Sequence, residues 1–125
     1  MIAMSPWPTE IRLSKDRRTL HIAFEDGVNY ALSAELLRVE SPSAEVQGHG
    51  PTQKKTVPGK AEVEILNVEP VGHYAVKLTF DDMHDTGIYG WDYLRELGET
   101  GEAKMQAYLD ALAAQGLSRE PLRRR

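Results

Sequence analysis

An alternation of apolar and polar residues in the first third of the chain constrains the fold most strongly. Apolar side chains at every second position line one face of a β-strand. Three runs have this spacing: Ile11 and Leu13; Leu20, Ile22 and Phe24; and Val28, Tyr30 and Leu32. Residues 15–18 and 25–27, between the runs, are polar residues typical of turns. Asp26-Gly27 is the stronger turn signal, because glycine tolerates the positive φ of a tight hairpin. The pattern predicts a three-stranded antiparallel meander.

A short helix is predicted after the meander, followed by a long irregular segment. The Ser33 hydroxyl can accept a hydrogen bond from a first-turn amide, so Ser33 is the expected N-cap of a helix over residues 34–39. Six Pro and Gly residues then interrupt residues 41–60. A connection of this length without a regular pattern indicates either mobility or function.

Two more strands are predicted in the middle of the chain. Val63 and Ile65 alternate with glutamates, and residues 73–80 alternate throughout, with residues 70–72 as the hairpin connection. We expect one face of the strand over residues 73–80 to be buried and the other to be more exposed to solvent. The buried face would carry Tyr74, Val76, Leu78 and Phe80.

Two helices are predicted near the C-terminus. Residues 88–97 have helical spacing of apolar side chains, and Gly98 is the expected helix end. A second, amphipathic helix is predicted over residues 101–115, with Gly116 after it. Its apolar stripe consists of Met105, Tyr108, Leu109 and Leu112. The stripe can pack on the sheet, on a neighbouring element or on a second copy of the chain, and the last case would make a homodimer.

Composition excludes several classes of protein. The 125 residues are 41% hydrophobic and 27% charged, which fits one globular domain. The apolar runs are far shorter than the roughly 20 residues of a membrane span, and the N-terminus lacks a secretory signal, so a cytoplasmic location without membrane contact is expected. The net charge of −4 argues against nucleic-acid binding. The absence of cysteine removes disulfides, thiolate metal sites and cysteine nucleophiles.

The densest polar cluster lies at residues 81–87, with the sequence DDMHDTG. Carboxylates and imidazole bind divalent metals, and non-haem iron sites combine two His with one carboxylate. The order Asp82-Met83-His84 reverses the His-x-Asp spacing of iron oxygenases. A solvated loop is therefore favoured over an independent metal site.

Four other residues are candidates with a structural alternative. Ser41 and Ser43 lack the Gly-x-Ser-x-Gly pattern of a nucleophile, so local hydrogen bonding is favoured for them. His49, between two glycines, is a ligand contact or, more often, a surface turn. Trp91 is expected in the core, with an interface anchor as the alternative.

Three segments together resemble the gamma-butyrobetaine hydroxylase-like N-terminal domain family, in its small stand-alone bacterial form. They are PTEIRLSKDRRTLHIAFEDG, LRVESPSAEVQGHGP and EPVGHYAVKLTFDDMHDTGIYGWDYLREL. The resemblance covers about residues 8–98 and implies a small single α+β domain built on antiparallel β-sheet with short helices. The chain would then consist of an N-terminal tail (1–7), this domain (8–98), a C-terminal amphipathic helix (99–116) and a basic tail (117–125).

The resemblance also implies what happened to a metal site. In the hydroxylases this domain holds a structural zinc through three cysteines and one later histidine. Here Ser41, Ser43 and Val46 stand at the cysteine positions and His84 stands at the histidine position. Hydroxyls are poor zinc ligands and valine is none, so no zinc or other cofactor is expected.

The favoured function is a non-catalytic interaction or accessory domain, because the catalytic residues of the hydroxylases belong to another domain. Family members fused to iron-sulfur carrier ATPases imply a link to iron-sulfur or metal-cofactor metabolism, with such an ATPase or an oxygenase-type protein as partner. The interaction candidates are His49, His84, Asp85, Tyr89 and Trp91. The alternative is a small iron- or zinc-binding enzyme or sensor that uses His84, His49 and the nearby aspartates.

Overall fold

The computed structural model describes residues 7–48 and 54–121. Within these residues the strands and helices follow in the order β1 (Pro8–Leu13), β2 (Thr19–Phe24), β3 (Asn29–Ser33), α1 (Ala34–Val39), α2 (Ala44–Gln47), β4 (Ile65–Val71), β5 (Ala75–Phe80), β6 (Ile88–Gly90) and α3 (Trp91–Ala114). The fold is α+β, as expected. His49, residues 1–6 of the expected N-terminal tail and residues 122–125 lie outside the described residues.

The first sheet confirms the predicted meander. Its order is β1-β2-β3, and both pairings are antiparallel. Leu20 pairs with Leu32 and Ile22 pairs with Tyr30, so the alternating apolar residues share one face. The predicted N-cap is also confirmed, because the amide of Leu36 donates to the Ser33 hydroxyl at 3.0 Å.

The second sheet has the order β4-β5-β6 and differs from the prediction in three places. Strand β4 begins at Ile65 and includes Pro70 and Val71, which pair with β5, so the turn falls at Gly72, where φ is +56°. Tyr74 belongs to that turn and is 62% exposed, so it does not share the buried face of β5. Residues 88–90, predicted as helix, form the edge strand β6.

One continuous helix, α3, replaces the two helices that were predicted near the C-terminus. Gly98 and Gly101 lie inside it. A Cβ atom at Gly98 would clash with the ring of Tyr30, and one at Gly101 would lie 3.1 Å from Cδ2 of Leu36. These glycines let the helix approach β3 and α1 closely, so they do not end it. The expected boundary between residues 98 and 99 therefore cuts a continuous helix.

The core lies between the two sheets and the helices. Both sheets, α1 and α3 contribute to one buried apolar cluster, which includes Leu20, Ile22, Phe24, Leu37, Leu78, Phe80, Tyr89, Leu94 and Leu97. Tyr108 and Leu112 of the apolar stripe on α3 pack with Val39 of α1 in a smaller cluster. A homodimer through this stripe would have to compete with packing inside the chain. No helix in the described part of the chain is long and apolar enough to cross a bilayer.

The first residues of the expected basic tail are docked. The backbone N–H of Gly59 donates to the carbonyl of Ser118 at 2.9 Å, and that of Ala61 donates to the carbonyl of Arg119 at 2.9 Å. The Arg119 guanidinium also forms an ion pair with Glu35 of α1. Residues 117–121 are thus held by α1 and by the segment that precedes β4.

Candidate functional site

Two loops meet beside the C-terminal end of α1. One contains α2 and follows α1 directly, and the other joins β5 to β6. Their polar side chains form a group that we call the serine–histidine cluster, which consists of Ser41, Ser43, Glu45, His84 and Thr86. Three of these, Ser41, Ser43 and His84, are positions that the sequence singled out, and the structure brings them together.

His84 lies at the centre of the cluster, and both of its ring nitrogens are engaged. Nε2 is 2.8 Å from Oγ of Ser41, and Nδ1 is 3.1 Å from Oε2 of Glu45. An ionised carboxylate only accepts hydrogen bonds, so we assign the proton to Nδ1, and Nε2 accepts from the Ser41 hydroxyl. Burial, and next the charge of Arg38, lower the pKa of His84 from 6.5, although Glu45 and Asp82 oppose this shift. The ring is therefore neutral at neutral pH.

Ser41 makes hydrogen bonds within the loop that follows α1 and to the loop between β5 and β6. Its side chain is fully buried, and its Oγ accepts the backbone N–H of Ser43 at 3.3 Å while it contacts His84. The amide of Gln47 donates to the carbonyl of Ser41 at 2.9 Å. A Cβ atom at Gly87 would lie 2.5 Å from Oγ of Ser41, so only glycine allows the second loop to approach this closely.

Ser43 ties the two loops together a second time. Its Oγ is 2.7 Å from Oγ1 of Thr86, and it also caps α2 by accepting the N–H of Glu45 at 3.2 Å. Glu45 and Thr86 are members of the cluster that were not predicted from the sequence. A Ser followed two residues later by a Glu is typical of a helix N-terminus and signals the place of Glu45, whereas no local pattern marks Thr86.

Asp82 anchors the second loop to α1 and to the irregular segment. Its Oδ2 is 2.7 Å from Nε of Arg38 and 2.6 Å from Nζ of Lys60, and its Oδ1 accepts the N–H of His84 at 3.1 Å. Burial alone would raise the pKa of Asp82, but the hydrogen bonds from Lys60 and Arg38 lower it to about 2. The carboxylate is therefore charged and fully engaged at neutral pH.

The order Ser41, His84, Glu45 has the connectivity of a hydrolase triad, in which a carboxylate orients a histidine that activates a serine. The sequence did not indicate a histidine–carboxylate pair beside Ser41. However, Ser41 is 0% exposed and the His84 side chain is 2% exposed. A substrate carbonyl cannot reach the hydroxyl, so the arrangement joins two loops and offers no site for acyl transfer.

The zinc of the hydroxylases does not fit this cluster. Ser41 contacts His84, and Ser43 and the buried Val46 lie in the same loop. The side chains present supply no thiolate, and the nitrogen that could face a metal accepts a hydroxyl instead. Among residues 7–48 and 54–121, no group of three or more His, Asp or Glu side chains is placed to hold a metal ion.

The remaining interaction candidates differ in accessibility. Tyr89 is buried and its hydroxyl donates to the carbonyl of Leu37, so it holds α1 in place and is not available to a partner. His84 is also buried. The indole of Trp91 is partly buried and donates to the carbonyl of His73 at 2.9 Å. Asp85 is exposed.

The chain has clear relatives among solved structures. Two solution NMR structures are each 46% identical with a TM-score of 0.80, and the matches cover 95% and 97% of this chain and 94% and 90% of those chains. A crystal structure of a protein of unknown function from Acidithiobacillus ferrooxidans, which belongs to the DUF971 family, is 41% identical with a TM-score of 0.63. That match covers 76% of this chain and 98% of the other.

The sequence also matches a family model. No curated protein matches the chain. The model described as "Gamma-butyrobetaine hydroxylase-like, N-terminal" matches residues 11–95. This range contains the second half of β1, all of β2 to β6, α1, α2 and the serine–histidine cluster. The chain therefore belongs to the gamma-butyrobetaine hydroxylase-like N-terminal domain family.

Proposed function

We propose that the chain is a non-catalytic interaction domain that binds a protein partner through its second sheet. One observation carries this proposal. Of the six large apolar side chains that are exposed among the described residues, four belong to this sheet or to the loops around it: Leu66, Tyr74, Met83 and Ile88. Exposed large apolar side chains that are concentrated in one element of a small domain and its loops are typical of protein-binding regions.

The outer face of the sheet supports the proposal through its register. Ile88 pairs with Lys77, and Lys77 pairs with Glu69, so these three side chains form a row across the face that points away from the core. Ile88 is 47% exposed, whereas Val76, which points to the other face, is buried. An apolar group beside an opposite-charge pair offers a partner both burial and orientation.

Met83 is exposed to solvent between two residues that are held in place by side-chain contacts. Its side chain is 83% exposed, and its φ of +74° is uncommon for a residue with a β-carbon. Asp82 on one side is held by two cations, and His84 on the other side is held by Ser41. Because both neighbours are fixed, Met83 can bind without the entropic cost of ordering a loop.

The buried cluster supports the non-catalytic part of the proposal, because its only serine–histidine pair is closed to substrate. The family resemblance supplies the expected kind of partner. An iron-sulfur carrier ATPase or an oxygenase-type protein is the partner that we propose, in a role linked to metal-cofactor metabolism.

Site-specific cross-linking tests the surface. A photoreactive phenylalanine analogue in place of Tyr74 or Ile88 should give one discrete adduct in cells, and the adduct should disappear when Met83 is replaced by Ser. The matched control carries the same analogue at Trp7, which is an exposed aromatic residue at the start of the first sheet. An identical adduct from Trp7, or no adduct from either position on the second sheet, would contradict the proposal.

The alternative, a metal-dependent enzyme or sensor, needs free ligands at His84 and the neighbouring aspartates. Both nitrogens of His84 and both oxygens of Asp82 are already hydrogen bonded. Elemental analysis of protein purified without a His tag separates the two functions. We expect iron and zinc well below one equivalent, and a stoichiometric metal would favour the alternative.

A further inference from the structure

A group of contacts made by residues near the C-terminal end of the described chain lies at the N-terminal part of α1, away from the second sheet. These contacts are made to the carboxylate of Glu35 and the backbone N–H groups of Gly59 and Ala61, a set that we call the arginine acceptor. The chain's own Ser118 and Arg119 occupy it. Their contacts show what chemistry the acceptor recognises.

The ion pair in the acceptor is asymmetric. Glu35 is 6% exposed and belongs to α1, whereas the Arg119 side chain is 45% exposed and comes from the segment after α3. Nε of Arg119 donates to Oε2 of Glu35 at 3.0 Å, and Nη2 donates to Oε1. A buried carboxylate held by both arms of a guanidinium selects arginine, because an ammonium group cannot make this fork.

The backbone contacts add a second element of recognition. The N–H groups of Gly59 and Ala61 donate to two successive carbonyls, those of Ser118 and Arg119, each at 2.9 Å. Main-chain hydrogen bonds of this kind can form with a peptide of any sequence, as they do when a peptide binds along an exposed strand edge. Sequence selectivity in this acceptor therefore rests on the arginine.

The chain's own segment packs loosely against the rest of the molecule. An open cavity of about 460 Å³ lies between residues 58–60 and residues 116–120, and both stretches contribute to its walls. Residues 117–120 are exposed. Gly116 has φ +67°, and a Cβ atom there would meet nothing within 4 Å, so the segment leaves α3 through an open glycine turn.

We infer that the arginine acceptor binds an arginine-bearing segment of a partner protein, and that residues 117–121 occupy it until the partner displaces them. The site is distinct from the second sheet, so it does not depend on the function proposed above.

The full-length Arg119→Ala variant tests the inference, with the hexapeptide GLSREP (residues 116–121) as the probe. In NMR titrations we expect saturating shifts of the Gly59 and Ala61 amides in this variant, with a dissociation constant at or below the millimolar range. Wild type should bind the peptide at least about tenfold more weakly, because its own arginine competes. The peptide GLSAEP and the Glu35→Gln/Arg119→Ala variant should give no saturating shift.

Two results would overturn the inference. One is equal binding of GLSREP and GLSAEP, and the other is the absence of saturation in Arg119→Ala. If that variant does not fold, Arg119→Lys retains a cation at Glu35 but lacks the fork. The Arg119→Lys variant should then bind GLSREP more tightly than wild type does. Equal affinity of Arg119→Lys and wild type for the peptide would also overturn the inference.

Discussion

The hydroxyl of Ser41 lies 2.8 Å from Nε2 of His84, although the two residues are 43 positions apart in the chain. Both side chains are buried, so this contact joins the loop after α1 to the loop before β6 without help from solvent.

Replacement of Ser41 by Ala should destabilise the protein by about 1 to 3 kcal/mol, because it leaves Nε2 of His84 and the N–H of Ser43 without a buried partner. Urea denaturation measures the loss. Ser118→Ala is the matched control, since its hydroxyl is exposed, and it should change stability by less than about 0.5 kcal/mol. Equal effects of the two substitutions would show that the buried contact contributes nothing.

Stability should fall as the pH drops below 6.5, the ordinary pKa of histidine, because the folded pKa of His84 is lower. Between the folded and the unfolded pKa the unfolded chain binds more protons, so protonation favours unfolding. The contribution of His84 is complete above this window. Denaturation curves from about pH 7.5 to about pH 5 should show the decline in wild type and a smaller one in His84→Gln.

Asp82 does not interfere with this measurement. Its pKa is lowered from 3.8 to about 2, so its contribution to stability is present above 3.8 and is lost only as the pH falls towards 2. Parallel pH dependence of wild type and His84→Gln above pH 5 would contradict the assignment to His84.

The triple variant Ser41→Cys/Ser43→Cys/Val46→Cys should bind one zinc or cobalt ion per chain. It supplies three thiolates in one loop, and the position of Ser41 already contacts His84. Cobalt binding should give thiolate charge-transfer bands, and additional replacement of His84 by Ala should weaken it. Cobalt spectra without these bands would show that the loop does not have the geometry of a zinc loop.

Gly98→Ala should destabilise the protein by about 1 to 3 kcal/mol, although alanine favours a helix by about 1 kcal/mol. The new methyl group would clash with the Tyr30 ring. Gly101→Ala is the control, because its methyl group would meet only the flexible end of Leu36, at 3.1 Å. In a Tyr30→Ala background Gly98→Ala should become neutral or stabilising, and a persistent loss there would exclude the clash.

Met83→Gly should raise the free energy of unfolding by about 0.5 to 1 kcal/mol, since glycine removes the cost of positive φ. Met83→Ala keeps the β-carbon and should give no such gain. Both variants should lose the cross-link expected at the second sheet. A Met83→Gly variant that is stable and still cross-links fully would show that partner binding does not need the Met83 side chain.

Much of the fold follows from local chemistry. The meander and the Ser33 cap depend on residues close together in the chain, and both were predicted correctly. The sequence predicts a helix end at Gly98 because the local pattern carries no sign of Tyr30, which belongs to another element. The same limit explains Ile88–Gly90, whose helical spacing is overridden by pairing with β5.

The candidate site was predictable only in part. Family resemblance aligned Ser41 with His84, and the structure places them in contact. The roles of Glu45, Thr86 and Asp82 depend on loops that meet only after folding, so neither spacing nor composition could assign them. Tyr89 shows the same limit, since this interaction candidate is buried and its hydroxyl donates to the carbonyl of Leu37 in α1.

The closure of the serine–histidine cluster by hydroxyl, imidazole and carboxylate groups has a consequence for the cell. Thiolate loops keep their metal only while the thiols stay reduced and zinc is supplied. The two loops here are joined by hydrogen bonds between side chains of the chain itself, and the chain has no cysteine. Oxidation of thiols therefore cannot open this region, even in a cell under oxidative stress.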